Sequence, residues 1–120
     1  MRTEIRTAIQ YLSDYFKLSE SNAGEECVKE FQLVLEMLLH NRYEGHWYLN
    51  NPLRGSAYRC VRMNTRVVDP LVRAAAIQSG LAQYCPTSLF KQELTIWIDP
   101  GSISYRIGET YGCVFTKRVF

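Results

Sequence analysis

Two histidines, His40 and His46, are the side chains whose ordinary pKa would let them move protons near neutral pH, and they stand six residues apart. Neither the i, i+3 nor the i, i+4 spacing of a helical metal pair joins them. His46 precedes Trp47 and is read as a local hydrogen-bonding residue. The carboxylates Asp69, Asp99 and Glu109 all fall in turn or cap contexts, and Asp69, directly before Pro70, is accounted for by helix capping. Gly55-Ser56-Ala57 is too short for a phosphate loop and has no lysine. Cys27, Cys60, Cys85 and Cys113 are widely spaced, form no Cys-x-x-Cys or Cys-x-x-His pair, and each has an apolar neighbour. Four reduced, buried thiols are therefore expected. No catalytic set, metal site or cofactor site emerges, and an enzyme is not expected.

Binding chemistry is better represented. Arg54, Arg59, Arg62 and Arg66 cluster around an aromatic-bearing segment, a composition that can hold single-stranded RNA. Arg59 and Arg62 cannot share one strand face, however, and nearby acids dilute the patch, so direct nucleic-acid binding is not expected as the main role. Eight tyrosines and two tryptophans supply the aromatic groups from which protein interfaces draw their binding energy. The same residues could simply fill a small core. Composition leaves that choice open.

The elements that must position these groups belong to one domain, because 120 residues at 13.9 kDa cannot enclose two cores. An apolar fraction of 47% with 22% charged residues is that of a globular chain. A net charge of +2 with mixed signs gives no long-range field toward nucleic acid or anionic membrane. No apolar run approaches the roughly 20 residues of a membrane span, and no secretory signal opens the chain. A soluble, intracellular protein is the expectation.

Ile5, Ala8, Ile9, Leu12, Tyr15 and Phe16 form a helical stripe. Asn22 and Glu25 have capping-box spacing ahead of a second helix, expected from about Gly24 to His40 with Cys27, Val28, Phe31, Val34, Leu35 and Leu38 inward. Leu33, Met37 and Leu39 widen that stripe beyond one face, and burial inside the domain is favoured over exposure to a partner. Ser56 to Asn64 alternates like a strand. Asp69-Pro70 opens a third helix that Gly80 closes, with Tyr84 to Phe90 as loop or one short turn. Leu94 to Ile98, Ile103 to Ile107 and Cys113 to Val119 read as strands, the first two joined by the turn Asp99-Pro100-Gly101-Ser102. The fold class is α+β: an N-terminal helical hairpin and a further short helix packed on a small, mostly antiparallel sheet.

Two long runs carry a resemblance. Tyr43-Glu44-Gly45-His46-Trp47-Tyr48, followed by Pro52-Leu53-Arg54-Gly55-Ser56-Ala57-Tyr58-Arg59-Cys60-Val61-Arg62, resembles box A of the BTG/Tob antiproliferative family. Leu94-Thr95-Ile96-Trp97-Ile98-Asp99-Pro100, then Ser104-Tyr105-Arg106-Ile107-Gly108-Glu109, resembles box B. Val68-Asp69-Pro70 and Ser79-Gly80-Leu81 also match family positions, so the resemblance reads as one such domain over residues 1–120, with box A at about 43–62 and box B at about 94–109. It implies a non-enzymatic adapter, without cofactor, that docks onto the Caf-type deadenylase subunit of the cytoplasmic deadenylation complex. Poly(A) shortening, restrained proliferation and residence in cytoplasm and nucleus follow from the same likeness. The positions matching the family's deadenylase contacts are Tyr58, Asp69 and Trp97, with Arg54 and Asp99 expected at the rim. Trp97 alternates away from Leu94, Ile96 and Ile98, which suits an outward-facing contact. The alternative implied is a self-associating RNA-regulatory or transcriptional co-regulator module. The chain departs from the family pattern at Leu49-Asn50-Asn51 and at Gly101-Ser102-Ile103.

Overall fold

The sheet that carries the fold is built late in the chain. Its strands are β1 (Val61–Met63), β2 (Leu94–Asp99), β3 (Ser102–Ile107) and β4 (Val114–Arg118), paired antiparallel in the order β1-β2-β3-β4. The computed structural model describes residues 1–18, 22–64, 67–83, 93–107 and 114–118. Tyr84 to Phe90, Cys85, Cys113, Arg66 and Glu109 lie outside them. Leu94, Ile96 and Ile98 on β2 face the same way as Val61, Met63 and Ile103, and all six are buried. Period-two alternation of aliphatic residues thus closes one sheet face, as the sequence indicates for β2.

Helix α1 (Arg2–Tyr15) lies over β2 and β3 and buries Ile5, Ala8, Ile9 and Leu12. Its Glu4 is buried as well, with Oε2 accepting the Gly101 N–H at 3.0 Å. That contact fastens α1 to the β2–β3 turn, where Gly101 has φ +85°. Helix α2 (Glu25–Tyr43) packs between α1 and α3 (Pro70–Ser79) and buries Phe31, Val34, Leu35, Leu39 and Tyr43. A polar tie joins the first two helices: Gln32 Nε2 donates to Ser13 Oγ at 2.9 Å, and that hydroxyl donates to the Ile9 carbonyl. The architecture is α+β, as the pattern of elements indicates.

Three expectations change. The capping box does not form: Gly24 is the N-cap of α2, with φ +87° and no side-chain cap bond. Leu33 and Met37 are not taken into the domain but stand 65% and 52% exposed. The strand read over Ser56 to Asn64 shrinks to β1, because residues before it close successive turns: Ser56 N–H to Leu53 O, Tyr58 N–H to Gly55 O and Arg59 N–H to Ser56 O. Gly55 at φ +76° permits that coil, and the backbone groups it satisfies locally are lost to the sheet.

Helix α3 is built as its sequence indicates. Asp69 Oδ1 accepts the Leu71 N–H at 2.9 Å and the Val72 N–H at 3.5 Å, Pro70 follows, and Gly80 ends the helix left-handed at φ +83°. Cys27 and Cys60 are free thiols, but half-buried rather than buried as expected.

The last turn of α2, missed when the helix is stopped at His40, carries a buried phenol. Tyr43 Oη donates to the Arg59 carbonyl at 2.6 Å, and burial, then the charge of Asp69, pushes its pKa far above the ordinary tyrosine value of 10.0. Above that value an unfolded Tyr43 ionises while the folded one keeps its proton, so the unfolded state binds fewer protons. Stability should fall with rising pH there by about 1.4 kcal/mol per pH unit from this group. Chemical denaturation between about pH 10 and 12 checks it. Tyr43→Phe should lose about 1 kcal/mol at neutral pH with its hydrogen bond and show a shallower alkaline decline. Parallel declines for the two proteins would contradict this account.

Candidate partner-binding site

The segment that joins α2 to β1 is held by one side chain. Arg59 is fully buried, and all five of its guanidinium donors are used. Nε donates to the Ile98 carbonyl at 2.7 Å. Nη1 donates to the His46 and Arg54 carbonyls, both at 2.7 Å. Nη2 donates to the Pro52 carbonyl and to Asp99 Oδ1, both at 2.9 Å. Its face also lies 5.4 Å from the Trp47 ring centroid. The turns of residues 46–54 are thereby tied to the end of β2. Gly55 must stay small beside this cluster, since a Cβ there would sit 3.0 Å from Arg59 Nη1 and 3.3 Å from the Tyr48 ring.

This anchoring displays Tyr58, one residue earlier, outward at 42% exposure. Its ring lies tilted against His46 at 4.3 Å between centroids and carries the Arg42 guanidinium at 4.9 Å. Trp97 sits on the side of β2 opposite the aliphatic face, half-buried, with the Arg106 guanidinium 5.5 Å from its ring. The pairing Val61↔Ile96 carries Cys60 to a place across from Trp97. Asp69 is only 7% exposed, and its Oδ1 is taken by the two α3 amides, so Oδ2 is the oxygen free to meet a donor.

Cys60 reports how near these groups are to one another. Burial pushes its thiol pKa up, Asp69 pushes it further, and Arg62, Arg106 and Arg42 pull it down. Tyr58 stands two residues before this half-buried thiol, Trp97 lies across the ladder from it, and Asp69 is among the charges that act on it. The strands of the two resembling segments pair, which is the condition for the three residues to share a surface.

The remaining expectations divide. Arg54 is exposed and lies 4.4 Å over the Tyr48 ring, so it stands on the outer side of the loop. Asp99 is not a rim residue: it is buried and its carboxylate is committed to Arg59. Nor do Arg54, Arg59 and Arg62 form a cationic patch, since Arg59 is enclosed and Arg62 is paired with Glu93, while Arg66 lies outside the described residues. Reading Arg59 from a strand register that the loop does not adopt hid its role. Arg42 escapes the sequence reading because the helix is expected to end at about His40, and Arg106 because alternation alone does not show what lies across the ladder. Among the described residues no group of three His, Cys, Asp or Glu side chains could hold a metal. No helix among the described residues is long and apolar enough to cross a membrane.

Comparison with known proteins bears on this geometry. The chain is 43% identical to human protein Tob2 over 114 residues, taking in 91% of this chain and 30% of Tob2. It is 38% identical to human protein BTG2 over 109 residues, taking in 91% of this chain and 68% of that protein. The BTG/Tob domain of C. elegans FOG-3 superposes with a TM-score of 0.72 at 22% identity, covering all of this chain and 82% of that one, which shows a shared fold. The sequence profile of the BTG family matches residues 1–117. With both paired segments in place and the match running almost end to end, the chain belongs to the BTG family.

Proposed function

We propose that this protein is a non-enzymatic adapter that docks onto the Caf-type deadenylase subunit of the cytoplasmic deadenylation complex through Tyr58, Asp69 and Trp97. Bound there, it promotes shortening of mRNA poly(A) tails and so restrains proliferation, acting in cytoplasm and nucleus and needing no cofactor. The observation that supports the reading is the pairing of β1 with β2, which sets Cys60, two residues after Tyr58, across from Trp97, with Asp69 among the charges that act on that thiol. Two exposed or half-exposed aromatic rings offer apolar contact, and Asp69 Oδ2 offers a charge-assisted acceptor beside them. The departures at Leu49-Asn50-Asn51 and Gly101-Ser102-Ile103 fall on the loop that Arg59 holds and on the β2–β3 turn that Glu4 holds.

Asp69 has two separable jobs, and one substitution divides them. Asparagine caps a helix as well as aspartate does but carries no charge. Asp69→Asn should leave the melting temperature nearly unchanged and weaken binding to the purified deadenylase subunit by about thirtyfold, roughly 2 kcal/mol, as Trp97→Ala should. Calorimetric titration of both variants gives the answer. Normal binding by Asp69→Asn would reduce Asp69 to a cap, and normal binding by Trp97→Ala as well would remove the surface altogether. The self-associating alternative draws on the exposed Leu33 and Met37, and a concentration-dependent mass in light scattering without deadenylase binding would favour it.

A further inference from the structure

Charge does not cancel around Cys60. Arg62 is neutralised by Glu93, and Asp69 is largely enclosed by the start of α3. Arg42 and Arg106, by contrast, have no carboxylate within ion-pair distance among the described residues. The Nε of Arg106 is buried with no hydrogen-bond partner. Each guanidinium is instead laid over an aromatic ring of the candidate site, Arg42 over Tyr58 and Arg106 over Trp97. A stacked guanidinium keeps its planar fork available for a carboxylate, and the ring limits the rotamer freedom that binding would otherwise cost.

We propose that this face selects its protein partner by carboxylates, with Arg42 and Arg106 each receiving an acidic side chain of the partner beside the apolar contacts of Tyr58 and Trp97. The inference rests on the adapter reading above and specifies the partner's chemistry: acidic groups flanking an apolar patch, and a donor opposite Asp69. Single-stranded RNA fits less well. Tyr58 already carries a histidine ring and a guanidinium, and Trp97 carries another, so neither ring is bare for a base to stack on. Asp69 would also repel a phosphate.

The test measures Kd for the purified deadenylase subunit at low and moderate salt, using the full chain, Arg42→Gln, Arg106→Gln, Arg106→Lys and Arg2→Gln. Arg2 is an exposed arginine on the first turn of α1 and serves as the control. The parent should weaken severalfold as salt rises. Each glutamine variant at the site should bind roughly five- to tenfold more weakly at low salt and lose much of the salt dependence. Arg106→Lys should keep that dependence, and Arg2→Gln should match the parent. If Trp97→Ala weakens binding while both glutamine variants bind like the parent, the carboxylate proposal fails and the adapter reading stands. No binding by the parent at any salt overturns both. A twenty-nucleotide oligoadenylate supplies the remaining arm: tight binding by the parent that the glutamine variants lose would assign the arginines to nucleic acid and overturn the proposal.

Discussion

Arg59→Met should leave the domain largely unfolded at physiological temperature. Methionine matches the length of the arginine stem but donates nothing, so the four carbonyls of His46, Pro52, Arg54 and Ile98 lose their partner together. Asp99 would remain buried with an uncompensated charge. Removing one member of a buried ion pair costs about 3–5 kcal/mol, against a total stability of about 5–15 kcal/mol for a domain. Arg59→Lys should fall between, since lysine can keep a charge beside Asp99 but three donors on one nitrogen cannot span five acceptors. Urea titration would rank the variants. Asp99→Asn should cost less than Arg59→Met, and the double variant less than the sum of the two, which is the signature of a direct pair. Additive losses would show that the pair is not the fastening. Where a variant still folds, amide exchange should be fastest in residues 46–59, because Arg59 ties that stretch to β2.

That clasp marks the boundary of what the sequence makes legible. Helices α1 and α3 and strands β2 and β3 follow from periodicity, a cap, a proline and a turn, all of which act within a few residues. The Asp69 cap, Gly80 as the helix stop and the placing of Trp97 opposite the aliphatic face are read correctly for that reason. Residues 53–60 obey a different rule. Their alternation of aromatic and basic side chains imitates a strand, but the backbone bonds are local turns and the decisive interactions run 39 and 40 residues away, to Ile98 and Asp99. Propensity does not see contacts at that separation. A charged side chain also reads as solvated by default, and the five acceptors that make burial of Arg59 tolerable are assembled only by the fold. The resemblance to the family identified the candidate trio, while the structure supplied the strand pairing between its two segments and the guanidinium groups laid over two of its rings, Arg42 and Arg106.

Helix α2 offers the second large effect and a contrast within two residues. Phe31 is buried to 1% exposure in the core shared by α1, α2 and the sheet, whereas Leu33 on the same helix is 65% exposed. Phe31→Ala removes a whole ring from a close-packed interior and should cost about 3–5 kcal/mol. At roughly 4 °C per kcal/mol, that lowers the melting temperature by more than about 10 °C. Leu33→Ala removes almost as much apolar surface from the sequence but little from the core, and alanine is at least as good a helix former. Its cost should stay within about 0.5 kcal/mol. The two variants therefore separate an inward apolar residue from an outward one, which composition and helical periodicity alone do not for a stripe this wide. Melting curves over a range of protein concentrations complete the comparison. If Leu33→Ala proved as costly as Phe31→Ala, with stability rising with concentration in the parent alone, Leu33 would be buried against a second copy. Its exposure in the single chain would then mark a self-association surface, on the side of α2 where Leu33 and Met37 border a groove with Arg6 and Glu36.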